Sequence, residues 1–367
     1  MIDYVLTILA SFFLSFAVTL PFISLLYKFN IRRVSKLDLE KLLPGRTIKM
    51  GTPIMGGFVI IFSTIVMSLF LLNDWNYLPM IILVLIFGAI FGGIDEYVNT
   101  LGRTILALRI SQSTDKVMKS FFPTKGILNH VKKAVLYPWR MFEETLRIMG
   151  GEQRGLKNHF KFLMYLSVAI IPIVYMELNG HITSLYIPFL GSFELGYFYY
   201  VLLAFLLFGF GTALGITDGM DGLSAGTHSV AFLCYGILAS YLGYSEVATL
   251  SFILLGTELA FLYFNINPAR FEMSDVGTLP IGMVMVLIAS LIHREATLLL
   301  IGGIFVIEIL SSVSQQWAVK LFKKRLFLVA PIHHHFEKLG WPETKVTARF
   351  WIISMILGLL GLVLGLS

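Results

Sequence analysis

Four short polar clusters interrupt an otherwise apolar chain: Asp95-Glu96, Asp218 with Asp221, Asp275, and the run His333-His334-His335. Each stands at or near the end of an apolar stretch long enough to cross a bilayer. Adjacent carboxylates such as Asp95 and Glu96 repel, and a divalent cation removes that conflict. Mg²⁺ suits such a place, because it commonly takes one or two protein carboxylates and completes its shell with phosphate oxygens. Solvated helix-end charges are the plainer account of the same pair. Asp218 and Asp221 lie three residues apart, which on a helical turn puts both carboxylates on one face. Gly219 and Gly222 allow a backbone to approach a ligand closely. An Asp-Gly turn that caps the next helix serves nearly as well for Asp221. Asp275 opens an apolar stretch, where a carboxylate can cap free N–H groups and where phosphate is also favoured. Consecutive histidines point in different directions, so His333, His334 and His335 fit phosphate contacts, or the orienting of a carboxylate, better than one shared ion. Glu258 and Glu308 lie inside apolar stretches, where a carboxylate is a functional candidate by default. Ser311, Ser312 and Gln315 offer Glu308 structural partners on its own helix.

The elements that must position these groups are transmembrane helices. A hydrophobic fraction of 57%, only 14% charged residues and a mean hydropathy of +0.81 exclude an ordinary soluble domain. Low-charge stretches over 4–27, 53–73, 75–94, 162–176, 195–217, 222–245, 247–269, 276–292, 296–319 and 350–366 predict ten helices. Most reach the ~20 residues that a spanning helix needs. The expected fold is all-α and polytopic, one domain over 1–367. The first stretch is too long, and lacks the basic flank, to be a removable signal. Cys234 is the single cysteine and supports no disulfide framework. With residue 1 outside and the helices alternating, every Lys and Arg except Arg294 falls on the cytoplasmic side. That topology puts both termini outside and all four polar clusters inside. The net charge of +6 then reflects topology and attraction to anionic headgroups of the bilayer, with no nucleic-acid partner. The basic loop over 99–161 mixes charged and apolar residues and predicts interfacial helices, with Trp139 and Phe142 toward acyl chains.

Taken together, these residues resemble the polyprenyl-phosphate N-acetylhexosamine-1-phosphate transferase superfamily, and within it the phospho-N-acetylmuramoyl-pentapeptide transferases. The similarity runs from Gly51-Thr-Pro-Ile-Met-Gly-Gly57 through Asp95 and Thr217–Leu223 to Phe264-Asn265, Pro268-Ala269, Met273 and Asp275-Val-Gly277. It continues through Ala330-Pro-Ile-His-His-His-Phe-Glu-Lys-Leu-Gly-Trp341 and Arg349-Phe-Trp-Ile-Ile-Ser354, and leaves out only 99–153. The Pro331–Trp341 segment is the most specific part, because relatives that use UDP-GlcNAc carry a different histidine motif. The resemblance implies transfer of phospho-MurNAc-pentapeptide from UDP-MurNAc-pentapeptide to undecaprenyl phosphate, giving lipid I and UMP. It implies Mg²⁺ as cofactor, a bacterial plasma-membrane location with the site on the cytoplasmic face, and a possible homodimer. Asp275 would be the main Mg²⁺ ligand. Asp95, with Glu96 beside it, would stand near the lipid phosphate and the metal. Asp218, Asp221, Asn265 and Arg154 would bind the nucleotide substrate, and the three histidines its phosphates.

The chain departs from the family pattern at Glu96 (an aspartate there), at Val98 and Asn99 (a basic residue), and at Thr212 and Gly215 (asparagines). Glu272 and Ser274 replace an aromatic residue and a glycine, and Arg154 a lysine. The changes near Asp218 favour a sibling transferase that uses another UDP-amino-sugar such as UDP-GlcNAc. Glu258, Glu308 and the altered motifs motivate a third possibility, a non-catalytic lipid-phosphate-binding protein or transporter.

Overall fold

The structure, a computed structural model, describes residues 2–33, 51–72, 75–98, 156–179 and 182–367. Arg154 and the interfacial helices expected between 99 and 155 lie outside the described residues. In chain order the helices are α1 (Ile2–Lys28), α2 (Gly57–Leu71), α3 (Leu78–Val98), α4 (Asn158–Asn179), α5 (Phe198–Thr217), α6 (Leu223–Tyr241), α7 (Ser245–Asn265) and α8 (Asp275–Leu291). They are followed by α9 (Leu298–Ile301), α10 (Gly303–Phe322), α11 (Ile332–Lys338) and α12 (Glu343–Leu366).

Seven of the described helices are long and apolar enough to cross a membrane, or eight if a bent pair counts as one span. The bent pair is the 296–319 stretch, read from sequence as one straight helix. It turns by 80° between Glu295–Ile301 and Gly303–Phe322. Gly302 sits at the break, where an added Cβ would come 2.6 Å from the Phe210 ring. The 53–73 and 276–292 stretches form helices of only 15 and 17 residues. At 1.5 Å per residue these measure ~23 and ~26 Å; in the first, residues 53–56 are taken up by a loop before the helix. Among the described residues the departure from all-α is one antiparallel hairpin, β1 (Ser184–Ile187) with β2 (Gly191–Glu194).

The chain divides into two compact units, residues 1–92 with 165–367, and residues 93–164. In the first, α8 is the innermost helix, buried from Val276 to Leu291. α1 shows the inverted amphipathicity of a lipid-facing helix. Its buried face is Thr7, Ser11, Ser15 and Thr19, and its exposed face carries Leu6, Leu9 and Phe13. Small residues let helices approach closely, and Gly256 on α7 meets Ile8 and Ser11 where a Cβ would stand 2.4 Å from the Ile8 oxygen. In the second unit the described residues pack Val98 and Leu156 with Ile94, Tyr97 and Met164.

Candidate functional site

Two loops form the floor of the site in the first unit. Gly56 N–H donates to the Glu272 oxygen at 2.8 Å, Gly57 N–H to the Met273 oxygen at 3.0 Å, and Glu272 N–H to the Pro53 oxygen at 2.9 Å. Gly57 and Gly277 meet backbone to backbone, so that a Cβ on Gly57 would stand 2.3 Å from the Gly277 Cα. Close approach of this kind admits only glycine. Ser274 takes a left-handed φ of 59° and is the residue before the helix, with no side-chain cap. Asp275 is therefore the first helical residue and not the cap that the sequence allowed. Its carboxylate is turned elsewhere: Tyr165 Oη–H donates to Oδ2 at 3.4 Å. An added Cβ at Gly215 would lie 3.0 Å from Oδ1, so the glycine standing where the family has asparagine leaves room beside Asp275.

Asp218 and Asp221 part company. α5 ends at Thr217 and α6 begins at Leu223, with Gly222 at φ 74° before it. The turn between them is not helical, and the common face expected from the spacing does not form. Asp218 Oδ2 accepts from Ser274 N–H at 3.0 Å, which ties it to the start of α8. Desolvation pushes its carboxyl up to about 6, with the neighbouring Asp275 charge adding to the rise. Asp221 instead holds the 266–271 loop, accepting from Asn267 Nδ2 at 2.9 Å and Ala269 N–H at 3.1 Å. Asn265 does the same from the other direction, accepting from Gly222 N–H at 2.9 Å and donating to the Phe271 oxygen at 2.9 Å. Glu343 Oε1 accepts from Asp221 N–H at 2.5 Å, and Trp351 donates to the Gly222 oxygen at 3.0 Å. The turn is held almost atom by atom.

The three histidines have three different partners. His333 Nδ1 lies 2.8 Å from Glu308 Oε2, with both side chains fully buried. Its Nε2 faces the turn, at 2.3 Å from where a Gly219 Cβ would be. His334 Nδ1 lies 3.0 Å from Glu337 Oε2, and His335 Nδ1 accepts from Leu328 N–H at 3.2 Å. Two of the own-helix partners expected for Glu308, Ser311 and Gln315, serve the backbone instead. Ser311 donates to the Glu308 oxygen and accepts from Ile332 N–H, while Gln315 holds residues 326 and 327. Glu258 pairs with His228 at 3.1 Å, inside the bundle.

In the second unit Asp95 is buried, with Oδ2 2.6 Å from Lys161 Nζ and Oδ1 accepting from Leu156 N–H at 3.2 Å. Glu96, next to it, is half-buried.

Sequence reasoning missed Arg33, Lys161, Tyr165 and His228. Arg33 forms a 2.6 Å ion pair with Glu272, and together with Asp218, Asp221 and Asn265 they line a cavity of about 10 Å³. That is room for one water. The one available signal was Glu272 itself, a charged residue in place of an aromatic one and hence in need of a cation. Among the described residues no three His, Cys, Asp or Glu side chains form a ready metal cage. Asp218 is tied by its bond from Ser274 N–H to the residue beside Asp275, and carboxylates so placed are the donor type that Mg²⁺ takes, one or two at a time, with substrate phosphates.

The Glycosyl transferase family 4 model matches residues 152–293. A phospho-N-acetylmuramoyl-pentapeptide-transferase of Staphylococcus carnosus is 33% identical over 280 residues, covering 75% of this chain and 84% of the relative. One from Staphylococcus aureus is 33% identical over 324 residues, 86% of each chain. The chain belongs to the phospho-N-acetylmuramoyl-pentapeptide-transferase family. Another relative of the same name, from Geobacillus thermodenitrificans, is 38% identical over 221 residues, 60% of this chain and 68% of the relative. As a member of this family with seven or eight apolar spans among its described helices, the chain is a multi-pass membrane protein.

Proposed function

We propose that this protein transfers phospho-N-acetylmuramoyl-pentapeptide from UDP to undecaprenyl phosphate, releasing UMP and forming lipid I in a bacterial plasma membrane. The observation that carries the reading is the hydrogen bond from Ser274 N–H to Asp218 Oδ2, which ties Asp218 to the residue next to Asp275 on a floor built from backbone. An oxygen of the lipid phosphate attacks the sugar-bearing phosphorus, the bond to the UMP phosphate breaks, and UMP leaves with its electron pair. A phosphate monoester has a second pKa near ~6 and is largely dianionic at neutral pH. No proton need be removed from it before it attacks. Phosphoryl transfer is then a matter of alignment and charge neutralisation. Asp275 with Asp218 would hold Mg²⁺, which would neutralise the diphosphate when bound. His333 presents its imidazole to the same turn, and Asn265 and Asp221 keep that turn in shape. The distribution of Lys and Arg along the sequence supports a site at the cytoplasmic face, ten crossings and both termini outside.

A sibling reaction with UDP-GlcNAc is the second possibility, and Gly215 and the Arg33–Glu272 pair, both at the carboxylates, favour it. The test is extraction of labelled sugar into butanol after incubation with undecaprenyl phosphate and Mg²⁺. Label from UDP-MurNAc-pentapeptide alone supports the first reaction, and label from UDP-GlcNAc alone the second. Label from neither, in folded protein, removes both.

A further inference from the structure

Of the three histidines, His333 alone is fully buried, and its ring is fixed from both sides. On one side is Glu308, a fully buried carboxylate on α10, at 2.8 Å from Nδ1. On the other is the backbone of Gly219, so close to Nε2 that no side chain fits there. A carboxylate at Nδ1 fixes the proton on that nitrogen, and Nε2 is the atom turned to the Asp218–Gly219 turn. The same stretch of α10 also places the ring's backbone. Residues 308, 311 and 315 lie on one face at helical spacing. Ser311 accepts from Ile332 N–H at 3.0 Å, and Gln315 accepts from Leu326 and Phe327 N–H at 2.9 and 3.0 Å. Met220 in the turn shares an apolar cluster with Ile304, Val346 and Phe350, against which Ile332 and Phe336 pack. The helix carrying the imidazole therefore cannot slide relative to the turn without breaking these contacts.

We propose that Glu308 is the positioning residue of the transfer reaction. It orients His333 and supplies the negative charge that lets a buried imidazole carry a proton toward a substrate phosphate. This rests on the transfer reading above. A buried imidazolium without a counter-charge is costly, whereas one facing a fixed carboxylate is held ready for an incoming anion. Glu308 touches no substrate and acts through His333.

Charge and shape are separated by two substitutions. Glu308→Gln keeps length, volume and an acceptor for the Nδ1 proton, but not the charge. Glu308→Asp keeps the charge and shortens the reach. With purified protein in detergent, kcat of Glu308→Gln is expected to fall on the order of 10²-fold, with KM for the UDP-sugar within about twofold. Glu308→Asp should retain more kcat than Glu308→Gln. In the Glu308→Gln/His333→Asn double variant the first change should add nothing to the loss caused by the second. A merely structural role reverses the order, since Gln is the closer fit in volume, and makes the two losses additive. Either result overturns the proposal. A wild-type protein that is folded yet transfers nothing overturns the transfer reading and this inference together. An active wild type with a fully active Glu308→Gln overturns this inference alone.

Discussion

Two buried histidine–carboxylate pairs occupy the same bundle, and they are put to different use. His228 and Glu258 bridge α6 and α7 at 3.1 Å, and Ser224 closes the far ring nitrogen at 3.1 Å. The ring is walled in by Phe232 and Phe305, so every polar atom of the imidazole is spent inside the helices. His333 and Glu308 form the shorter pair, at 2.8 Å, but here the far nitrogen ends on the Gly219 backbone at the turn that carries Asp218. Chemically alike, the pairs differ in what the second nitrogen faces. A pair closed on both sides cross-links the bundle, whereas the second pair turns one ring nitrogen to the turn that carries Asp218.

The sharpest way to break this contrast is Gly219→Ala. The new Cβ would stand 2.3 Å from His333 Nε2, so the ring or the turn must shift. We expect kcat to fall roughly 10²–10³-fold, with a stability loss of ~1–3 kcal/mol from overpacking. Steady-state kinetics and thermal melts read the two effects separately. On the other side of the comparison, Glu258→Ala should lower stability by about 3–5 kcal/mol, because His228 is left buried without its partner. Its folded fraction should keep kcat within a few-fold of wild type. A large kcat loss at normal stability would show that the enclosed pair also serves the reaction.

Asp221→Asn sets the two aspartates of the turn against each other. Both donors of the 266–271 loop share Asp221 Oδ2, so Asn can keep the two bonds but not their charge assistance, and a stability loss of ~1–2 kcal/mol is expected. Activity should suffer less than in Asp218→Asn. The smallest effect expected is on the pH dependence of stability. Burial raises the Asp218 carboxyl from 3.8 to about 6. The folded state therefore holds that proton more tightly than the unfolded chain. The associated stability is fully present below about pH 4 and is lost as pH rises through about 6. Without nucleotide or Mg²⁺, the melting temperature of the wild type should fall across that window more than that of Asp218→Asn.

The helices were legible because a chain this apolar has few alternatives, and the segments that end at Thr217, Asn265 and Leu291 were placed within a few residues. The 80° break at Gly302 was not, since hydropathy registers a Gly-Gly pair as another two apolar residues. Asp275 and Asp218 were legible as residue types at segment ends. Their partners were not, because Ser274, Tyr165 and Arg33 come from distant parts of the chain. The i, i+3 spacing of Asp218 and Asp221 misled, since glycines on both sides of Asp221 end the helix before the spacing can act. Glu308 was visible as a costly intramembrane charge. Its partner 25 residues away could be found only once α11 had folded back onto α10.

The central claim is that the Asp218–Asp275 floor carries phosphoryl transfer. Its most direct test is UMP release by purified protein given undecaprenyl phosphate, Mg²⁺ and UDP-MurNAc-pentapeptide, with Asp275→Asn alongside. The account predicts release by the wild type that is lost on chelation and falls by at least about 10³-fold in the variant. Equal release by a folded Asp275→Asn protein would contradict it.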